Sequence, residues 1–112
     1  MEGGGINRKF KRKDFFCDIK ARLSGQEDYF ILAAKDISAS GIRVVITRLV
    51  KPGDELDIEM SFSGRVIRCK GKVSWALLLR PGFGRINSFD AGVEFFGMEE
   101  QDREFLVKLT EQ

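Results

Sequence analysis

Two short clusters in this 112-residue chain carry residue types suited to holding an anionic, planar ligand. The first is Arg8-Lys9-Phe10-Lys11-Arg12, with two arginines four positions apart. A guanidinium presents a planar fork of N–H donors that fits phosphate oxygens or the acceptor edge of a base bidentately, and its flat face stacks on a purine. On a flexible segment, that spacing lets both forks reach one compact ligand from the same side. The second cluster is Asp36-Ile37-Ser38-Ala39-Ser40-Gly41. Asp36 offers a carboxylate acceptor, Ser38 a hydroxyl, and Gly41 either a positive φ or a close approach of backbone to ligand. Arg43, two residues further on, is expected to point from the next strand, where it either flanks the same place or is an ordinary solvent-facing strand arginine. Each cluster is weak alone. An RxxxR arises in any basic tail, and Asp36 and Ser38 also suit simple turn capping. Their order, at the edges of consecutive strands, makes the pair specific.

Catalytic chemistry finds little support. The chain has no histidine, which removes the usual general base and the commonest metal ligand. Cys17 and Cys69 are far apart and lack CxxC spacing, which argues against zinc; both sit in apolar-patterned segments, as buried free thiols would. There is no GxSxG, no P-loop and no pair of nearby acids with a plausible pocket. Asp54, Glu55, Asp57 and Glu59 cluster, but alternation turns Asp57 and Glu59 to solvent. The expectation is a binding protein that is not an enzyme, with no cofactor and no metal. No apolar run approaches the ~18 residues of a membrane span, and the N-terminus lacks a signal-peptide core, so a cytoplasmic protein without membrane insertion is expected.

The elements that must position these groups read mostly as strands. Residues 1–13 are glycine-rich and then basic, poor in apolar residues, and are expected to form a flexible arm carrying the RxxxR. Residues 14–112 form the single domain that this length allows. FFCDIKARL from Phe15 alternates apolar and polar. YFILAAKDIS and GIRVVIT follow, then ELDIEMSF, RVIRCKGKVSWALLL and AGVEFF. Gly25, Pro52-Gly53 and Ser63-Gly64 punctuate them as turns, and RPGFGRINSFD reads as a loop. Gly71, in mid-strand, suggests a bulge or a barrel bend. The tail from Met98 reads as a helix with Met98, Asp102, Phe105 and Leu109 near one face, Leu106 beside them, and Phe105 and Leu109 packing on the barrel. Six short antiparallel strands and a terminal helix predict an all-β fold, a small closed barrel. Trp75 is placed in the core or at the rim. The net charge of +2 is uneven: residues 1–22 carry +4 and residues 94–112 carry −4. A basic front end points to an anionic partner, with Lys9, Lys11 and Lys13 raising the on-rate.

Over residues 7–110 the chain resembles a PilZ domain. The resemblance rests on the RxxxR and DxSxxG, on VSWA at Val73–Ala76, on AGVEF at Ala91–Phe95, and on the acidic, apolar C-terminal segment. It implies a six-stranded barrel that binds cyclic di-GMP, with the arm wrapping the ligand against the DxSxxG edge. The ligand-binding residues would be Arg8, Arg12, Asp36, Ser38, Gly41 and Arg43. It implies an adaptor that signals to a protein partner in motility, attachment or exopolysaccharide control, through an arm that orders on binding. Two other readings compete: a PilZ-like adaptor without ligand, whose relatives lack the arginine motif present here, and a small-barrel binder of single-stranded nucleic acid. Basic charge confined to the arm argues against long nucleic acid.

Overall fold

The computed structural model describes residues 17–80 and 88–110. The arm, with Arg8 and Arg12, lies outside the described residues. Six strands, β1 (Cys17–Leu23), β2 (Phe30–Ile37), β3 (Gly41–Ile46), β4 (Glu55–Phe62), β5 (Arg65–Arg80) and β6 (Ser88–Phe96), precede one helix, α1 (Glu100–Thr110). All pairings are antiparallel, and the sheet closes as a barrel in the order β1-β2-β3-β6-β5-β4. The expected all-β barrel with a C-terminal helix is what forms.

The barrel follows from period-2 patterning. In β4, Leu56, Ile58, Met60 and Phe62 all point inward and are buried, while Glu55, Asp57, Glu59 and Ser61 face out. Ile19, Ala21, Val44, Ile46, Ile67 and Val73 complete the centre of the same core. Gly25, Gly53 and Gly64 hold positive φ in the turns that they mark in the sequence. The outer face of β1, β4 and β5 is a ladder of alternating charge. Arg22 and Lys70 both bond Asp57, at 3.0 and 2.8 Å, and Lys20 and Arg68 flank Glu59 at 3.8 and 3.2 Å. Hydrogen bonds from Lys70 and Arg22 hold the Asp57 carboxyl below its usual range. Exposed pairs of this kind contribute roughly 0–1 kcal/mol each, so they cover the sheet more than they stabilise it.

Phe15 and Phe16, expected in the first strand, lie outside the described residues. Two sequence expectations need correction. β6 begins at Ser88 rather than Ala91, because Leu77 and Leu78 of β5 pair with Asp90 and Phe89 and carry the ladder past the point where clean alternation stops. The bulge in β5 falls between Val73 and Trp75, while Gly71 sits in unbroken register with Leu56 and Phe95. Gly71 answers to crowding: a Cβ there would lie 2.5 Å from Val93 Cγ1 and 2.6 Å from Ile58 Cδ1.

Helix α1 carries acidic residues in its first turn and Lys108 in its last, as the helix dipole favours. Phe105 meets Phe62 edge-on at 5.3 Å, and Arg65 lies 4.8 Å over the Phe105 ring while bonding Asp102 at 3.0 Å. Phe105 and Leu109 are only partly buried; Leu106, placed beside the packing face from sequence, is fully buried. Leu106→Ala is therefore expected to cost about 2–5 kcal/mol in a urea titration, the range for a buried leucine. A loss well under that range would mean the helix is not anchored there.

Candidate functional site

The turn between β2 and β3 is built by its own side chains. The Ser38 amide donates to the Gly41 carbonyl at 2.9 Å. Its Oγ accepts from the amides of Ser40 and Gly41, both at 3.2 Å, and shares a hydrogen bond with the Ser40 hydroxyl at 3.1 Å. Such local side-chain bonds satisfy backbone groups that the ladder leaves open. Ser38 thus caps the turn. Asp36 is exposed and stands opposite Arg43 in the ladder, just after a bulge between Ala34 and Asp36.

One of the two expectations for Gly41 fails. Its φ is not positive. It pairs with Glu94 across β3 and β6, and a Cβ at Gly41 would overlap the Val93 carbonyl oxygen. The glycine answers to the backbone of another strand, which occupies the place of a side chain, and owes nothing to a left-handed turn.

A second glycine shapes the floor. Gly92 pairs with Arg43 on one side and Trp75 on the other. A Cβ at Gly92 would overlap the Trp75 indole, so the indole lies across the space that a side chain would fill. The β5 bulge supports this arrangement, with Ser74 Oγ donating to the Gly92 carbonyl at 3.2 Å. Trp75 ends at the rim, 38% exposed. The result is an open cavity of about 500 Å³ on the outside of the barrel, with Asp36, Ser38, Gly41, Arg43, Trp75 and Glu94 in its walls. That volume suits a small-molecule ligand.

The structure therefore brings together four of the six residues expected from sequence: Asp36, Ser38, Gly41 and Arg43. Arg8 and Arg12 fall outside the described residues. Sequence reasoning missed Asp90, Gly92 and Glu94. Arg43 Nε and Nη2 donate to the two Asp90 carboxylate oxygens at 3.1 and 2.7 Å, and Asp90 is only 6% exposed. The hydrogen bond from Arg43 holds the Asp90 carboxyl below its usual range, and the carboxylate raises the Arg43 guanidinium. The signal existed, since Asp90, Gly92 and Glu94 alternate along β6, but the segment before Ala91 reads as loop.

The thiols are poor nucleophiles. Cys69 is buried and Cys17, expected to be buried, is half-buried; both are free. Burial, and then the Asp18 charge, push the Cys17 thiol up to about 12, and burial pushes Cys69 up to about 11, with Asp102 adding to it. Among the described residues no cluster of His, Cys, Asp or Glu could hold a metal, and no helix is long and apolar enough to cross a membrane.

A family model for the PilZ domain matches residues 6–112, nearly the whole chain and including both arginines of the arm. Searches of curated proteins and of solved structures return no match.

Proposed function

The chain belongs to the PilZ domain family, a family of cyclic di-GMP receptors in general, and from that premise we propose that this chain binds cyclic di-GMP on the outer face of β2, β3, β6 and β5. The observation that carries the proposal is the cavity that joins the DxSxxG turn to Arg43 and Trp75. The two phosphates of the ligand call for the forks of Arg8 and Arg12. Asp36 accepts from the N1–H and N2–H donors of a guanine, and Trp75 offers an apolar wall to the base. Ser38 acts through the turn that it holds.

The topology supports closure by the arm. β1 runs antiparallel to β2 with Ile19 opposite Leu32, so the chain leading into Cys17 comes from the side on which β2 continues to Asp36. Arg12 lies five residues before Cys17 in the sequence, and five residues span at most ~17 Å, enough to reach over the turn. Five cations between Arg8 and Lys13 repel one another, and ligand phosphates relieve that repulsion. We therefore read binding as a step that orders the arm and makes a new surface for a protein partner. Against the nucleic-acid reading, the cations along β1, β4 and β5 alternate with acids, so these strands offer no continuous basic track.

Trp75 is the single tryptophan of the chain and reports on this cavity. Titration with cyclic di-GMP should change its emission saturably, and cyclic di-AMP at equal concentration should not. An unchanged spectrum at saturating ligand would place binding, if any, elsewhere.

A further inference from the structure

We propose that Asp90 is a positioning residue that fixes Arg43 as a preset donor edge on the floor of the ligand cavity. The inference rests on cyclic di-GMP binding at this face. Asp90 and Arg43 come from β6 and β3, 47 positions apart in the sequence. Asp90 is opposite Val45, two positions along the ladder from the Arg43–Gly92 pair and on the same face, and therefore reaches the guanidinium on the diagonal. Two parallel N–H···O bonds lock the plane of the guanidinium as well as its position.

Several features make this a device for presenting Arg43 and not only a stabilising pair. Asp90 is 6% exposed while the Arg43 side chain is half exposed, so a ligand meets the arginine and not the acid. Of the five N–H donors of a guanidinium, Asp90 takes two, which leaves three on a residue that lines the cavity. A free arginine loses much rotamer freedom when it binds; one held beforehand loses less. Gly92, opposite Arg43, lets the Trp75 indole lie across the floor, an apolar surface for a base. Finally, Arg43 stands opposite Asp36 in the β2–β3 ladder. A donor beside an acceptor matches one edge of guanine, where O6 accepts and the adjacent N1–H and N2–H donate. Adenine presents the reverse order on that edge and would be refused.

A double-mutant cycle separates positioning from simple support of the fold. Affinities for cyclic di-GMP are measured by titration calorimetry on the full chain, at a temperature where melts show each variant folded. Arg43→Ala should weaken binding roughly 10–100-fold, the scale for a lost bond from a charged donor. Asp90→Asn should weaken it roughly tenfold, because a neutral amide no longer clamps the fork. Combined with Arg43→Ala, Asp90→Asn should add less than about twofold, since an acid acting only through Arg43 has nothing left to position. Parent-like binding by Asp90→Asn, or losses that multiply in the double variant, would overturn the inference. Should Asp90→Asn not fold, Arg43→Lys takes its place. It keeps a cation beside Asp90 but gives up the fork, so it should bind as weakly as Arg43→Ala, and parent-like affinity would overturn the inference. Failure of the parent chain itself to bind would instead overturn the receptor reading beneath it.

Discussion

Replacing both Arg8 and Arg12 by alanine is expected to remove measurable cyclic di-GMP binding, and either single replacement to weaken it roughly ten- to hundredfold. Each arginine contributes hydrogen bonds from a charged donor, and the pair acts on one ligand, so the losses compound. Lysine at either position should recover only part of the affinity, because an ammonium keeps the charge and loses the planar fork. The barrel should be indifferent to these changes, since both positions precede the first strand at Cys17. Thermal melts and calorimetry on the same samples check both halves. Parent-like affinity in Arg8→Ala and Arg12→Ala would reduce the arm to a solubilising tail.

The second large effect is expected at Gly41. Any side chain there meets the Val93 carbonyl oxygen, and backbone in a ladder cannot yield as a flexible side chain can. Gly41→Val should cost about 1–3 kcal/mol, lower the melting midpoint by roughly 5–20 °C, and weaken binding through displacement of the Ser38–Gly41 turn. Gly41→Asn discriminates between causes. Asparagine tolerates positive φ, so a glycine retained for its turn conformation accepts it at small cost. With overlap against Val93 as the cause, asparagine should destabilise about as much as alanine. A Gly41→Asn protein that melts like the parent would contradict the steric explanation.

These two sites also show what the sequence discloses. The alternation in ELDIEMSF, the turn glycines Gly25, Gly53 and Gly64, and the DxSxxG stretch are local signals, and the structure uses each where the pattern puts it. Strand ends were less legible. The segment Ser88–Asp90 has no clean alternation and becomes a strand because Leu77 and Leu78 pair with it. Gly41 does not have the positive φ that its turn context suggests, and the constraint visible in the structure comes from Val93, 52 positions later in the chain. Gly71 likewise answers to Val93 and Ile58, and no bulge forms there. Asp90 carries no local signal, because an acid next to an apparent loop becomes distinctive only when β6 lies beside β3 and Arg43 holds it. Leu106 surpasses Phe105 and Leu109 as the helix anchor because the exact rotation of α1 is set by the barrel end that it covers. Local period and turn chemistry travel with the sequence; cross-strand crowding and diagonal ion pairs exist only once the register is set.

The most direct test is calorimetric titration of the full chain with cyclic di-GMP, which returns affinity and stoichiometry together. The expected result is saturable binding that is lost in the Arg8→Ala/Arg12→Ala double variant, weakened by Asp36→Ala at unchanged fold, and not reproduced by cyclic di-AMP. Absence of heat from the folded parent at saturating ligand, together with an unchanged Trp75 emission, would contradict the assignment of this face as a cyclic di-GMP site.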